Sequence, residues 1–143
     1  MDFNYTLYDH EVFNHLKFEV VDEWIIEQND LEVVFLNVDQ SLPQLHFQTI
    51  GKTESFNSAS TFYTFLLTED ETGEIKNKAA SKCGNFDSIE YEYIEKDYPE
   101  IYVYGVIVDV GEGILWFYLK TPSNNPSPYK DILTNLCQSL EFK

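Results

Sequence analysis

Along the first third of the chain, apolar and polar positions alternate with the two-residue period of a half-buried strand. Leu16-Lys17-Phe18-Glu19-Val20 shows this most cleanly. Residues 23–28, containing Trp24, Ile25 and Ile26, predict a second strand. Asn29-Asp30 supplies a turn, and residues 31–36 predict a third strand. Ser41-Leu42-Pro43 interrupts the pattern, and residues 45–50 form a fourth strand ended by Gly51. The period then changes. Ala59, Phe62, Tyr63, Leu66 and Leu67 fall at helical spacing behind Asn57 or Ser58 as N-cap. Glu69-Asp70-Glu71 and Gly73 end this helix. Acids there oppose the helix dipole, so either the helix stops early or a cation compensates.

In the second half, residues 75–83 read as a weak strand or as an extension of a helix. Residues 88–95 place Ile89, Tyr91 and Tyr93 on one face and Glu90 and Glu92 on the other. Residues 101–110 and 114–119 are apolar on both faces and are joined by the hairpin turn Gly111-Glu112-Gly113. A loop over 121–126 precedes a last helix. Ser127 is its expected N-cap and Pro128 its first residue. Tyr129, Ile132, Leu133, Leu136, Cys137 and Leu140 form its apolar stripe. Strands apolar on both sides need cover on both faces, and short turns require antiparallel neighbours. The expected architecture is α+β, a three-layer α/β/α sandwich with a mostly antiparallel twisted sheet and a helix on each face.

Composition narrows the function classes. The 143 residues fit one domain over 1–143, large enough to bury a core without staples. An apolar content of 43% excludes a disordered acidic chain. Nine basic against 25 acidic side chains give a net charge of −16, which argues against direct nucleic-acid binding. No run approaches a membrane span. Met1 to Thr6 carries no signal-peptide features, so a cytoplasmic location is expected. Cys83 and Cys137 lack metal-type spacing and suit a reducing compartment, with a disulfide between them as the alternative.

The order of elements resembles the PsbP-like superfamily, which includes the photosystem II PsbP subunit, the Ran-binding Mog proteins and many bacterial proteins. Three features carry the resemblance. One is a strand and short turn leading to a Trp, Phe18-Glu19-Val20-Val21-Asp22-Glu23-Trp24. Another is a central helix near 58–67. The third is a late hairpin, loop and C-terminal helix closing on Ser139-Leu140-Glu141-Phe142. Family members place Pro and Gly before the Trp, where this chain has Asp22-Glu23. The resemblance implies an antiparallel sheet between helices and a non-catalytic, partner-binding role.

The constellations that could carry catalysis are weak. His10 and His15 are five apart, so on a helix their rings diverge by roughly 140° and cannot share a zinc ion. Residues 68–79 imitate a calcium loop, but Thr68 and Ala79 replace its essential acids. Cys137 reads as core, Cys83 as an exposed thiol beside Lys82, and no Cys–His arrangement is apparent. The glycines form no phosphate cradle. No cofactor and no metal is expected. Glu90, Glu92, Glu95, Asp97 and Glu100 could flank a cleft as glycosidase acids do, but a wet strand face explains Glu90 and Glu92. Tyr91, Tyr93, Tyr98, Tyr102 and Tyr104 fit both a binding surface and cross-strand packing.

The leading expectation is a non-catalytic cytoplasmic protein-binding module, such as an immunity protein or effector chaperone, whose acidic surface steers a basic protein partner. Its expected contacts are Glu69, Asp70, Glu71, Glu74, Glu90, Glu92, Glu95, Asp97, Tyr98 and Glu100. The alternative is a small-ligand carrier or hydrolase with an aromatic-lined pocket between sheet and helix, rimmed by 121–127. A deep cavity with convergent polar groups distinguishes them. Such a cavity holding His46 or Cys83 beside a carboxylate would weigh against pure binding.

Overall fold

The computed structural model describes residues 3–10, 16–30, 32–37, 39, 41–69 and 73–142, with the backbone alone at 67–69 and 142. The protein is α+β and dominated by antiparallel sheet. Ten strands are described: β1 (Tyr5–His10), β2 (Leu16–Val21), β3 (Ile25–Gln28), β4 (Val33–Leu36), β5 (Gln44–Gly51), β6 (Gly73–Cys83), β7 (Phe86–Glu95), β8 (Ile101–Asp109), β9 (Gly113–Pro122) and β10 (Glu141–Phe142). Helix α1 (Ala59–Glu69) separates β5 from β6, and α2 (Lys130–Ser139) precedes β10. Residues 73–83 are strand throughout, which resolves that ambiguity.

The strands form two sheets rather than the single one expected. Seven lie in the order β3-β4-β5-β9-β8-β7-β6, and β1-β2-β10 make a separate small sheet. The alternation in β2 is the cause. Leu16, Phe18 and Val20 are buried on one side of the strand, in a core shared with Phe35, Phe47, Leu115 and Phe117 of the large sheet. Those residues cover the large sheet by facing it, not by joining its edge. Ile132, Leu133 and Leu136 of α2 complete the same core. A second core joins Ala59, Phe62 and Tyr63 of α1 to Ile89, Tyr91, Ile107 and Ile114.

The local signals act as follows. Ser58 caps α1: its Oγ accepts from Thr61 N–H at 3.2 Å, while Thr61 Oγ1 accepts from Ser58 N–H at 3.0 Å, a reciprocal capping box. Ser127 does not cap α2. Residues Ser127–Tyr129 form a 3₁₀ turn, and the helix begins one turn later with no side-chain cap. Pro128 suits that tight first turn as readily as an α-helix, which is why the sequence places the start early. Glu23, where the related pattern has glycine, holds φ of +64°. A side chain there costs on the order of 1 kcal/mol relative to glycine.

The cysteines are not thiols. Cys83 and Cys137 are joined in a disulfide, and Cys83 is fully buried instead of exposed. Cys83 ends β6 beside the tight Gly84 turn, which brings its side chain under α2.

Candidate functional site

Strand β9 divides two kinds of apolar residue between its faces. Leu115, Phe117 and Leu119 are buried in the core shared with α2. Trp116, Tyr118 and Lys120 are each only part-buried and line a pocket together with Tyr63 and Leu66 of α1. Register carries this face across the sheet: Tyr118 is opposite His46 on β5 and Gly105 on β8, and Lys120 is opposite Val103. Gly105 is there because Tyr91 needs the space. A Cβ at that position would lie 2.0 Å from the Tyr91 ring. The ring passes over β8, and its hydroxyl accepts a hydrogen bond from Trp116 Nε1 at 2.8 Å.

Helix α1 covers only part of this face, and a cavity of about 230 Å³ remains beside it. Tyr63 and Leu66 of α1 form one wall. Ile75, Tyr91, Tyr93 and Glu95 come from β6 and β7, and Val103, Trp116, Tyr118 and Lys120 from β8 and β9. Five aromatic rings and two opposite charges thus converge on one hollow. The volume lies just below the roughly 300 Å³ at which drug-sized sites begin, so a single-ring ligand matches it.

Behind Tyr118 lies a polar relay. The Tyr118 hydroxyl donates a short hydrogen bond to Glu32 Oε1, which also meets His46 Nδ1 at 2.9 Å. The His46 and Tyr118 rings stack with centroids 4.6 Å apart. His46 is 8% exposed and does not line the cavity. Burial pushes its pKa below the ordinary value and outweighs the opposing pull of Glu32, while the charge of Lys120 pushes it further down. The imidazole is therefore neutral at pH 7 and donates Nδ1–H to Glu32. Burial and the hydrogen bond to Glu32 raise the Tyr118 pKa, keeping the phenol a donor.

The depressed pKa of His46 has a sign in stability. The unfolded chain binds this proton more readily than the folded one, so stability falls as pH drops below about 6.5 and levels off below the folded pKa. His46→Gln removes that titration. Urea midpoints measured from pH 7 to 5 are expected to fall further for the wild type than for the variant. Parallel pH profiles would refute the neutral buried imidazole.

The acidic residues expected to form one surface are divided between faces. Glu90 and Glu92 line a small groove against α2, whereas Glu95 lines the aromatic cavity. Alternation along β7 forces that split. Glu92 accepts hydrogen bonds from Tyr102 Oη at 2.8 Å and Asn77 Nδ2 at 3.0 Å, which gives it a structural task. Glu74 pairs with Lys76 at 3.1 Å. Asp97, Tyr98 and Glu100 are exposed together between β7 and β8. Glu69 ends α1, and Asp70, Glu71 and His15 lie outside the described residues. Among the described residues no His, Cys, Asp or Glu cluster is arranged to hold a metal, and no helix is long and apolar enough to cross a membrane.

Sequence reasoning missed Trp116, Tyr118 and Lys120 as site residues because it treated both faces of 114–119 as equally apolar. The signal is in the type of residue. From 115 to 120 the odd positions are purely apolar and the even positions, Trp116, Tyr118 and Lys120, carry a polar tip. Gln44, His46 and Gln48 on β5 repeat it beside Leu45 and Phe47.

A seven-stranded antiparallel sheet with a small sheet and two helices against it is the PsbP-like fold, as the resemblance implied. The solution structure of cyanobacterial PsbP from Synechocystis sp. PCC 6803 superposes with a TM-score of 0.74 at 15% identity, covering 100% of this chain and 95% of that one. A Pseudomonas aeruginosa protein of unknown function gives 0.58 at 10% identity, covering 98% of both chains. LpqN, involved in cell envelope biogenesis of Mycobacterium tuberculosis, gives 0.55 at 9% identity, covering 96% of this chain and 90% of that one. These likenesses establish the fold alone. No protein-family model matches the sequence. No curated protein matches it either.

Proposed function

We propose that this protein is a non-catalytic binding protein whose site is the aromatic cavity between α1 and the large sheet. One observation carries the reading: five rings from α1, β7 and β9 surround about 230 Å³ of space instead of filling it. Interiors are otherwise close-packed, so space retained among large side chains suits a ligand. The proposed layering supports it, with α1 on one face of the large sheet and α2 plus the small sheet on the other. A catalytic use of His46 has less support, because the ring lies behind Tyr118 with Nδ1 committed to Glu32.

The test is thermal shift and NMR titration with single-ring compounds. Toluene and its polar derivatives are expected to raise the melting temperature, with shifts confined to residues around Trp116. Trp116→Leu removes one wall and the bond to Tyr91. It is expected to weaken binding at least about tenfold. Chemical shifts scattered over the surface would reject the cavity as the site.

A second reading, an acidic surface steering a basic protein partner, draws on the net charge of −16 and the exposed Asp97-Tyr98-Glu100 turn. The disulfide suits an oxidising compartment better than the cytoplasm. We therefore favour a non-cytoplasmic location.

A further inference from the structure

Glu95 and Lys120 are the two charged groups in the cavity lining. They stand on β7 and β9: Lys120 is opposite Val103 of β8, and Val103 is opposite Tyr93, two residues before Glu95. Strands two apart in a sheet are separated by roughly 10 Å and two residues along a strand add roughly 7 Å, so the two backbones stand roughly 12 Å apart and only their long side chains approach one ligand. Neither side chain forms an ion pair with a described residue, although each is only part-exposed. The other lysines around the sheet are committed. Lys76 pairs with Glu74, Lys82 with Asp87 and Lys52 with Asp109, and Lys78 lies 4.5 Å from the Tyr63 ring centre. In a chain with 25 acids and nine bases, an ammonium on an aromatic wall unanswered by any acid among the described residues is out of character.

Two of the five ring tips already spend their donors. Trp116 donates to Tyr91, and Tyr118 donates to Glu32. A ligand therefore meets ring faces and edges from Trp116 and Tyr118, and formal charge from Glu95 and Lys120 alone. A purely cationic ligand meets Lys120, and a purely anionic one meets Glu95. A single ring bearing an ammonium and a carboxylate on one short arm offers each of the two side chains a group of opposite charge.

We propose that the cavity binds an aromatic zwitterion of the aromatic amino-acid class, its ring among Tyr63, Tyr93, Trp116 and Tyr118, its carboxylate on Lys120 and its ammonium on Glu95. This rests on the cavity being the binding site.

The experiment compares four compounds with one ring: L-phenylalanine, phenethylamine without the carboxylate, hydrocinnamate without the ammonium, and ethylbenzene with neither. Dissociation constants are measured by NMR titration to about 10 mM. Phenylalanine is expected to bind at least roughly tenfold tighter than any of the others, because each charged hydrogen bond adds to the ring contacts. Lys120→Met should bring phenylalanine to the level of phenethylamine while leaving phenethylamine within about twofold. Glu95→Gln should bring it to the level of hydrocinnamate. Equal binding of all four overturns the zwitterion while leaving the cavity as the site. So does a phenylalanine preference that survives both substitutions. No binding of any compound overturns the zwitterion and the cavity reading together.

Discussion

Phe18→Ala is expected to lower the unfolding free energy by about 3–5 kcal/mol, the range for removing a fully buried aromatic side chain. Phe18 has no exposed surface and sits where the small sheet meets the large one. Its ring centre lies 5.2 Å from Phe47 and from Phe117, 5.4 Å from Tyr8 and 6.2 Å from Phe35, in edge-on or tilted geometry. Truncation would remove four aromatic contacts at once and leave a void between two sheets that relax only as units. The urea midpoint should fall sharply at an unchanged slope. Leu7→Ala is the control: Leu7 is 54% exposed on the adjoining strand, and its change should stay within about 0.5 kcal/mol. Similar losses at both sites would mean that the small sheet is not packed as described.

The elements that were legible in the sequence are those in which one face is dry and the other wet. β2, β7 and the apolar stripe of α2 each show a single period, and each lies close to its expected place. The second sheet was not legible. Alternation states that a strand has a buried face but not what covers it, and Leu16-Phe18-Val20 fits an edge strand as well as a separate layer. β1 was missed because Thr6, Leu7 and Asp9 are all exposed, which leaves Tyr5, Tyr8 and His10 without a clean period.

The candidate site was half legible for the same reason. Clustered tyrosines and acids marked β7, but proximity in sequence does not mean proximity in space on a strand. Glu92 and Glu95 belong to opposite faces. The residues completing the cavity lie on β9 and α1, distant in sequence and joined only by sheet order. Gly105, unremarkable in a list of six glycines, is what allows Tyr91 to cross the sheet.

Removing the disulfide is expected to cost a comparable amount by a different route. Cys83 and Cys137 are 54 positions apart. Closing a loop of that length restricts the unfolded chain by about 4 kcal/mol at 25 °C in the chain-entropy account, an account that measured bridges often fall below. The bridge ties the β6–β7 turn to α2. Gly84 reinforces that junction, since a Cβ there would lie 3.0 Å from the Cys137 carbonyl oxygen. The double variant Cys83→Ala, Cys137→Ala is therefore expected to lose about 2–4 kcal/mol. The reduced wild type should fall in the same range, while reductant leaves the variant unchanged. Denatured wild-type protein should show no titratable thiol until reductant is added. Two free thiols without reductant would refute the bridge and return the protein to a reducing compartment. None, with a reductant-sensitive midpoint, would make α2 a helix held in place by both its apolar stripe and a covalent tie.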